Sequence, residues 1–171
     1  MNKVEARLYG ISQRKQVEQR EEKDALIVSK IQSLPEYQKA KVVLVYYPTK
    51  DEVNIMGLVN DFKYLRFPVC VSDTEMVAAK VLGALTTNKF GILEPSEYLV
   101  EENVEVVICP LTSFDKEKNR TGFGKGFYDR YLANKSVFKI GVGYACQEVD
   151  SIKTNELDIK MDVIVTEEAV L

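Results

Sequence analysis

The chain has 171 residues, 46% apolar and 29% charged, with a formal net charge of −3, enough apolar material for one core and too ordinary a balance for disorder. The acidic balance disfavours nucleic acid, and no apolar run approaches the ~18 residues that a membrane helix needs. The start, MNKVEARLYG, carries charge where an export signal carries an apolar block, so the expectation is a cytoplasmic protein with no nucleic-acid or membrane partner, a monomer or weak homo-oligomer.

Residues 3–34 read as helix in two segments, with Val4, Leu8, Ile11, Leu26, Ile27 and Ile31 among charges and no proline before Pro35. Gly10 falls inside the first segment as a tolerated cost. Val42–Tyr47 is a β-branched and aromatic run ended by Pro48, the pattern of a strand buried on both faces. Helical spacing returns over Asn54–Leu65 through Ile55, Leu58, Val59 and Phe62, and Phe67–Val71 is a second strand. Met76–Leu82 fits strand or helix, and GILEP at 91–95 reads as a turn. Val104–Pro110, Phe138–Tyr144 and Asp162–Thr166 read as strands, with a helix over Phe127–Lys135. Strands alternating with helices predict an α/β fold, a three-layer, mainly parallel sheet with helices on both faces, in a single domain spanning 1–171.

Histidine is absent, which excludes Ser-His-Asp and Cys-His catalysis, His-ligated metals and an imidazole base. Cys70, Cys109 and Cys146 are scattered in apolar surroundings without CxxC spacing, and read as free buried thiols. Any chemistry must run on carboxylates, Lys, Arg, Tyr, backbone dipoles or a bound ion.

Chemistry concentrates in PLTSFDKEKNRTGFGKGFYDRYL, residues 110–132. A buried strand ends at Pro110, and Gly122, Gly124 and Gly126 alternate immediately before a helix. Alternate glycines let backbone N–H groups approach a ligand closely, and the helix behind adds its positive end. Arg120 and Lys125 add full charges, so the segment reads as a phosphate cradle at the carboxyl end of a parallel strand. The spacing fits neither a Walker A loop nor the GxGxxG dinucleotide fingerprint. Asp129, on the first turn of the helix, suits either a cap or a Mg2+ that bridges phosphates.

At these residues the sequence resembles the 5-formyltetrahydrofolate cyclo-ligase family, whose signature has the form FDxxGxRLGxGxGYYDRYL. Further matches are the K-x-x-x-R of Lys3 and Arg7, PEYQKAK ending at Lys41, DEV at 51–53, GILEP, and the acidic segment with Asp162. The resemblance implies ATP-dependent cyclisation of 5-formyltetrahydrofolate to 5,10-methenyltetrahydrofolate, with Mg2+ as the cofactor. It implies ATP contacts from Lys3, Arg7 and the loop Arg120, Thr121, Gly122, Phe123, Gly124, Lys125, Gly126, Phe127 and Tyr128. Substrate contacts would come from Arg7, Tyr47, Glu52 and Phe123 through Phe127, and metal contacts from Asp129 and Asp162, with Lys125 and Arg120 carrying catalysis. The sequence departs from the signature at Lys118, at Thr121 and at Phe127, where a frequent Tyr would carry a hydroxyl. Arg14 and Arg20, on the same charged N-terminal stretch, fall outside the matching motif and read as solvated side chains.

Overall fold

The computed structural model describes residues 1–171. Helix α1 (Lys3–Lys15) opens on a reciprocal cap, in which the Asn2 side chain accepts from the N–H groups of Val4 and Glu5 while Glu5 accepts from Asn2 N–H. Helix α2 (Arg20–Gln32) follows after Gln19, whose left-handed backbone (φ 54°) separates the two segments predicted for 3–34. Helix α3 (Pro35–Lys39) places its proline at the first turn, where no N–H is missed.

In chain order the strands are β1 (Val42–Leu44), β2 (Tyr64–Cys70), β3 (Met76–Val81), β4 (Leu85–Thr87), β5 (Leu93–Pro95) and β6 (Tyr98–Val100), then β7 (Val106–Pro110), β8 (Ser113–Phe114), β9 (Arg120–Thr121), β10 (Phe138–Val142) and β11 (Val163–Val165). Helix α4 (Phe127–Leu132) lies between β9 and β10. Seven strands form one sheet in the order β11-β10-β7-β1-β2-β3-β6. The five from β11 to β2 pair in parallel, while β3 is antiparallel to both β2 and β6. The predicted α/β architecture is therefore observed. Its faces carry separate cores: Ile27, Ile31 and Tyr37 pack with Val43, Ile108 and Ile140 on one, and Tyr131 and Leu132 of α4 pack with Leu44, Val107 and Ile164 on the other. Side chains alternate along each strand, so continuous apolar runs feed both layers.

Several local expectations are corrected. The helix expected over Asn54–Leu65 is only a 3-10 turn, Met56–Asn60. Ile55 and Leu58 are buried as the spacing requires, but Phe62 stands fully exposed in a left-handed conformation (φ 55°) and β2 already begins at Tyr64. Asp61 explains the stop, because its carboxylate accepts from Gln32 Nε2 (2.8 Å) and Tyr37 Oη (2.8 Å), anchoring the chain to α2 and α3. GILEP is not all turn. Gly91 (φ 76°) sits in the turn, whereas Leu93–Pro95 is strand β5, paired with β4 as a hairpin. Met76–Leu82 resolves as strand β3, because Phe67, Val69 and their neighbours on β2 supply an antiparallel partner.

Packing, not tolerance, explains Gly10. A Cβ at this position would lie 1.8 Å from the Thr112 carbonyl oxygen, so α1 rests directly on the backbone beyond β7. Gly10→Ala should therefore destabilise the fold by ~1–3 kcal/mol through overpacking, despite the ~1 kcal/mol that alanine gains in helix propensity. Urea unfolding measures this, and a variant as stable as the parent would show that α1 does not pack as described.

Candidate active site

A cleft of about 1300 Å³ opens where α1, the ends of β1 and β7, the glycine loop and the β4–β5 hairpin converge. It is lined by Lys3, Arg7, Tyr47, Glu52 and every residue from Arg120 to Asp129. Of the predicted site residues only Asp162 lies elsewhere. Its Oδ2 accepts from the backbone N–H of Lys139 (2.7 Å) and pairs with Lys139 Nζ (3.1 Å), tying β11 to β10. Both Asp129 and Asp162 nonetheless act on the buried Cys109 thiol, and no cluster of three or more metal-binding side chains forms.

Asp129 joins the parts of the site. Its Oδ1 accepts from Arg120 Nη2 (3.1 Å) and from the N–H of Ile159 (3.1 Å), while Oδ2 makes no hydrogen bond within the protein. Arg120 is buried, so this ion pair spans the glycine loop from β9 to α4. Gly124 (φ 90°) and Gly126 (φ 71°) adopt backbone that a side chain would strain. A Cβ on Gly124 would also approach the Arg7 guanidinium to 3.1 Å, and Arg7 Nε donates to the Gly122 carbonyl. Lys3 pairs with Asp158 at 2.5 Å, beside Ile159. Helix α4 has six residues, shorter than the predicted Phe127–Lys135. Its dipole is correspondingly small, and the loop amides and cations carry most of the local field.

Aromatic groups line the rest of the cleft. Tyr47 stacks on Phe67 (centroids 4.0 Å apart, planes 12° apart), and Phe127 meets Phe90 of the hairpin edge-on at 5.4 Å. Tyr46 Oη donates to the Val53 carbonyl (2.8 Å). Burial pushes the Tyr46 and Tyr128 phenols well above their usual range, so both are neutral donors at physiological pH. Glu52 is buried. Its Oε1 accepts from the N–H (3.0 Å) and Oγ1 (2.7 Å) of Thr49, leaving Oε2 without a protein partner. Lys125 is exposed and free of any carboxylate, 5.6 Å from the centre of the Phe90 ring.

Sequence reasoning missed several lining residues. Arg14 is buried against the cleft, and Arg20 holds the Asp51 carbonyl (3.1 Å) and the Arg14 carbonyl, so neither is the solvated side chain expected. A signal was present for Arg14, since Lys3, Arg7 and Arg14 are spaced by four and seven and so share one face of α1. Phe90, Asp158 and Cys70 enter through tertiary approach, which no local spacing announces.

The family model described as the 5-formyltetrahydrofolate cyclo-ligase family matches residues 3–167. The chain belongs to that family. A relative called 5-formyltetrahydrofolate cyclo-ligase, from Haemophilus influenzae, is 30% identical, with 96% of this chain and 93% of the relative covered. The solution structure of a 5,10-methenyltetrahydrofolate synthetase from Aquifex aeolicus superimposes with a TM-score of 0.82 at 34% identity, covering 98% of this chain and 91% of that one. A 5,10-methenyltetrahydrofolate synthetase from Mycoplasma pneumoniae gives 0.79 at 26% identity, covering 98% and 99%.

The three cysteines are free as expected, but only Cys109 is fully buried, and Cys70 lines the cleft. Burial, reinforced by Glu94, pushes the Cys70 thiol up to about 11. Because the thiolate is the nucleophile, alkylation of Cys70 should be slow near pH 8 and accelerate about tenfold per pH unit up to that value. Iodoacetamide labelling read by peptide mass spectrometry checks this, and rapid labelling that levels off below about pH 9 would contradict the burial.

Proposed function

We propose that the chain closes 5-formyltetrahydrofolate to 5,10-methenyltetrahydrofolate using ATP, with release of ADP and phosphate. The observation that carries this reading is the joining, in one cleft, of a cationic glycine loop with a buried carboxylate and aromatic rings. The first suits a triphosphate and the second a pterin. Membership of the family supports the same pairing.

The N5-formyl group is an amide whose oxygen leaves poorly as hydroxide. Attack of that oxygen on the γ-phosphorus expels ADP and converts the oxygen to a phosphate ester. The N10 lone pair then attacks the formyl carbon. The carbon–oxygen bond breaks, phosphate departs, and N10 loses its proton to the basic phosphate or to water. No strong protein base is required, which suits a chain without histidine. The residues supply position and charge.

In this reading the loop amides and Lys125 hold the transferring phosphoryl group, and Arg120, fixed by Asp129, meets the polyphosphate. Lys3 and Arg7 close the site from α1. The free Oε2 of Glu52 accepts from the pterin N–H groups while Tyr47 and Phe127 pack against the ring system. The free Oδ2 of Asp129 suits a Mg2+ that arrives with ATP, since such an ion takes one or two carboxylates plus phosphate oxygens. Held there, the ion would supply charge neutralisation to the phosphates. Asp162, whose Oδ2 is tied to Lys139, would support that ion from the β10–β11 side, directly or through water.

Mixing the protein with 5-formyltetrahydrofolate, Mg2+ and ATP should raise the methenyl-folate absorbance, with one phosphate released per ring closed. Chelation should stop the rise and added Mg2+ restore it. Lys125→Ala should lower kcat/KM by about 10²–10³, as loss of a charged transition-state contact does, whereas Cys109→Ser behind the loop should alter mainly stability. No methenyl product from the wild-type chain would refute the reading, and equal small effects of both variants would reduce the loop to a connection.

A further inference from the structure

Of the cleft cations that the mechanism leaves unused, Arg14 is the buried one. Arg14 is 4% exposed and lines the cleft, yet no carboxylate pairs with it. Its guanidinium makes one long hydrogen bond, Nη1 to the Leu111 carbonyl at 3.3 Å, and Nε has no partner at all. The other two buried arginines share the unpartnered Nε but each has a carboxylate. Arg66 is paired with Glu101, and Arg120 with Asp129.

A guanidinium taken out of water without an anion is strongly unfavourable, and a fold tolerates the arrangement where something else gains from it. The position says what gains. Phe123 of the glycine loop lies over the Arg14 guanidinium, 5.2 Å from its ring centroid. The ring covers one face of the group and leaves the N–H edge for an acceptor. Arg14 also continues the face of α1 that presents Lys3 and Arg7 to the cleft. Lys3 already has Asp158, and Arg7 already donates to the Gly122 carbonyl. Arg14 is the member of the row whose charge is least answered by the protein.

We propose that Arg14 is a further substrate-binding residue, receiving an oxyanion at the cleft wall beneath Phe123. The inference rests on the function proposed above, whose two substrates each carry such a group: the phosphates of ATP and the glutamate carboxylates of the folate. Both match the planar fork of a guanidinium. Anion arrival also places Phe123 over a neutralised pair, so binding and ordering of the glycine loop are coupled.

The test separates charge from packing. Arg14→Met keeps a long side chain with a sulfur beneath the Phe123 ring while removing the charge, and Arg14→Lys keeps charge without the fork. Wild type and both variants are titrated calorimetrically with a non-hydrolysable ATP analogue plus Mg2+, with 5-formyltetrahydrofolate, and with 5-formyltetrahydropteroate, which lacks the glutamate. Arg14→Met should lose about tenfold or more in affinity for one substrate, and Arg14→Lys less. The melting temperature without ligand should hold or rise, because an unanswered buried charge has been removed. A loss confined to the ATP analogue assigns the oxyanion to a phosphate. A loss with the folate that is absent with the pteroate assigns it to a carboxylate.

Affinities within about twofold of wild type for Arg14→Met would overturn the proposal, as would equal losses for folate and pteroate or a fall in melting temperature with all ligands equally weakened. Should Arg14→Met fail to fold, the same comparisons are decided on Arg14→Lys. If the wild-type chain binds neither substrate, the proposed function itself fails and this assignment with it. Normal wild-type binding with unaffected variants defeats the assignment alone.

Discussion

The site hangs on one oxygen atom. Asp129 Oδ1 accepts from the Arg120 guanidinium on one side and from the Ile159 N–H on the other. The first bond closes the glycine loop into an arch of fixed span between β9 and α4. The second brings in the segment that carries Asp158, and Asp158 in turn holds Lys3 and the start of α1. Three stretches far apart in sequence, the start of α1, the glycine loop with α4, and Asp158–Ile159, therefore meet through two hydrogen bonds and an ion pair. Arg120 is buried, so removing its partner would leave an unanswered charge, and that penalty is what keeps the arch in place. The same carboxylate retains a second oxygen for a ligand, so scaffold and chemistry share a residue.

Charge is the cleft's main resource. Nine basic and five acidic side chains line it, an excess of four positive charges in a protein whose net charge is −3. Local fields of this kind gather small anions without attracting a polyanion to the whole surface. The phenols of Tyr46 and Tyr128 stay neutral because burial disfavours their ionised forms, so they add hydrogen-bonding capacity without cancelling the field. A reaction that needs phosphates held and a poor leaving group replaced is well served by these means, and it explains why histidine is dispensable.

Much of this was legible in the chain. The apolar runs at Val42–Tyr47 and Val104–Pro110 announced buried parallel strands, and the alternate glycines with Arg120 and Lys125 announced the loop. The expected helix over Asn54–Leu65 failed because the side chain of Asp61 is committed to Gln32 and Tyr37, a tertiary bond that outweighs a short apolar period. Gly10 was misread for a related reason. Its role is set by the Thr112 backbone, more than a hundred residues away. Asp162 matched a motif, and the motif could not reveal that its Oδ2 also ties β11 to Lys139 of β10. Arg14 shows the opposite error: it stood outside the motif, yet its helical phase with Lys3 and Arg7 already pointed at the cleft.

Central to the account is transfer of the γ-phosphoryl group to the formyl oxygen, since the proposed function sets a phosphate beside a pterin in one cleft. Isotopic labelling tests this step directly. The protein would be supplied with ATP, Mg2+ and 5-formyltetrahydrofolate carrying heavy oxygen in the formyl group, in ordinary water, and the released phosphate analysed by mass spectrometry. The account predicts that each phosphate carries one heavy oxygen, because the carbon–oxygen bond is the one broken. Unlabelled phosphate, with the heavy oxygen found in water, would contradict it.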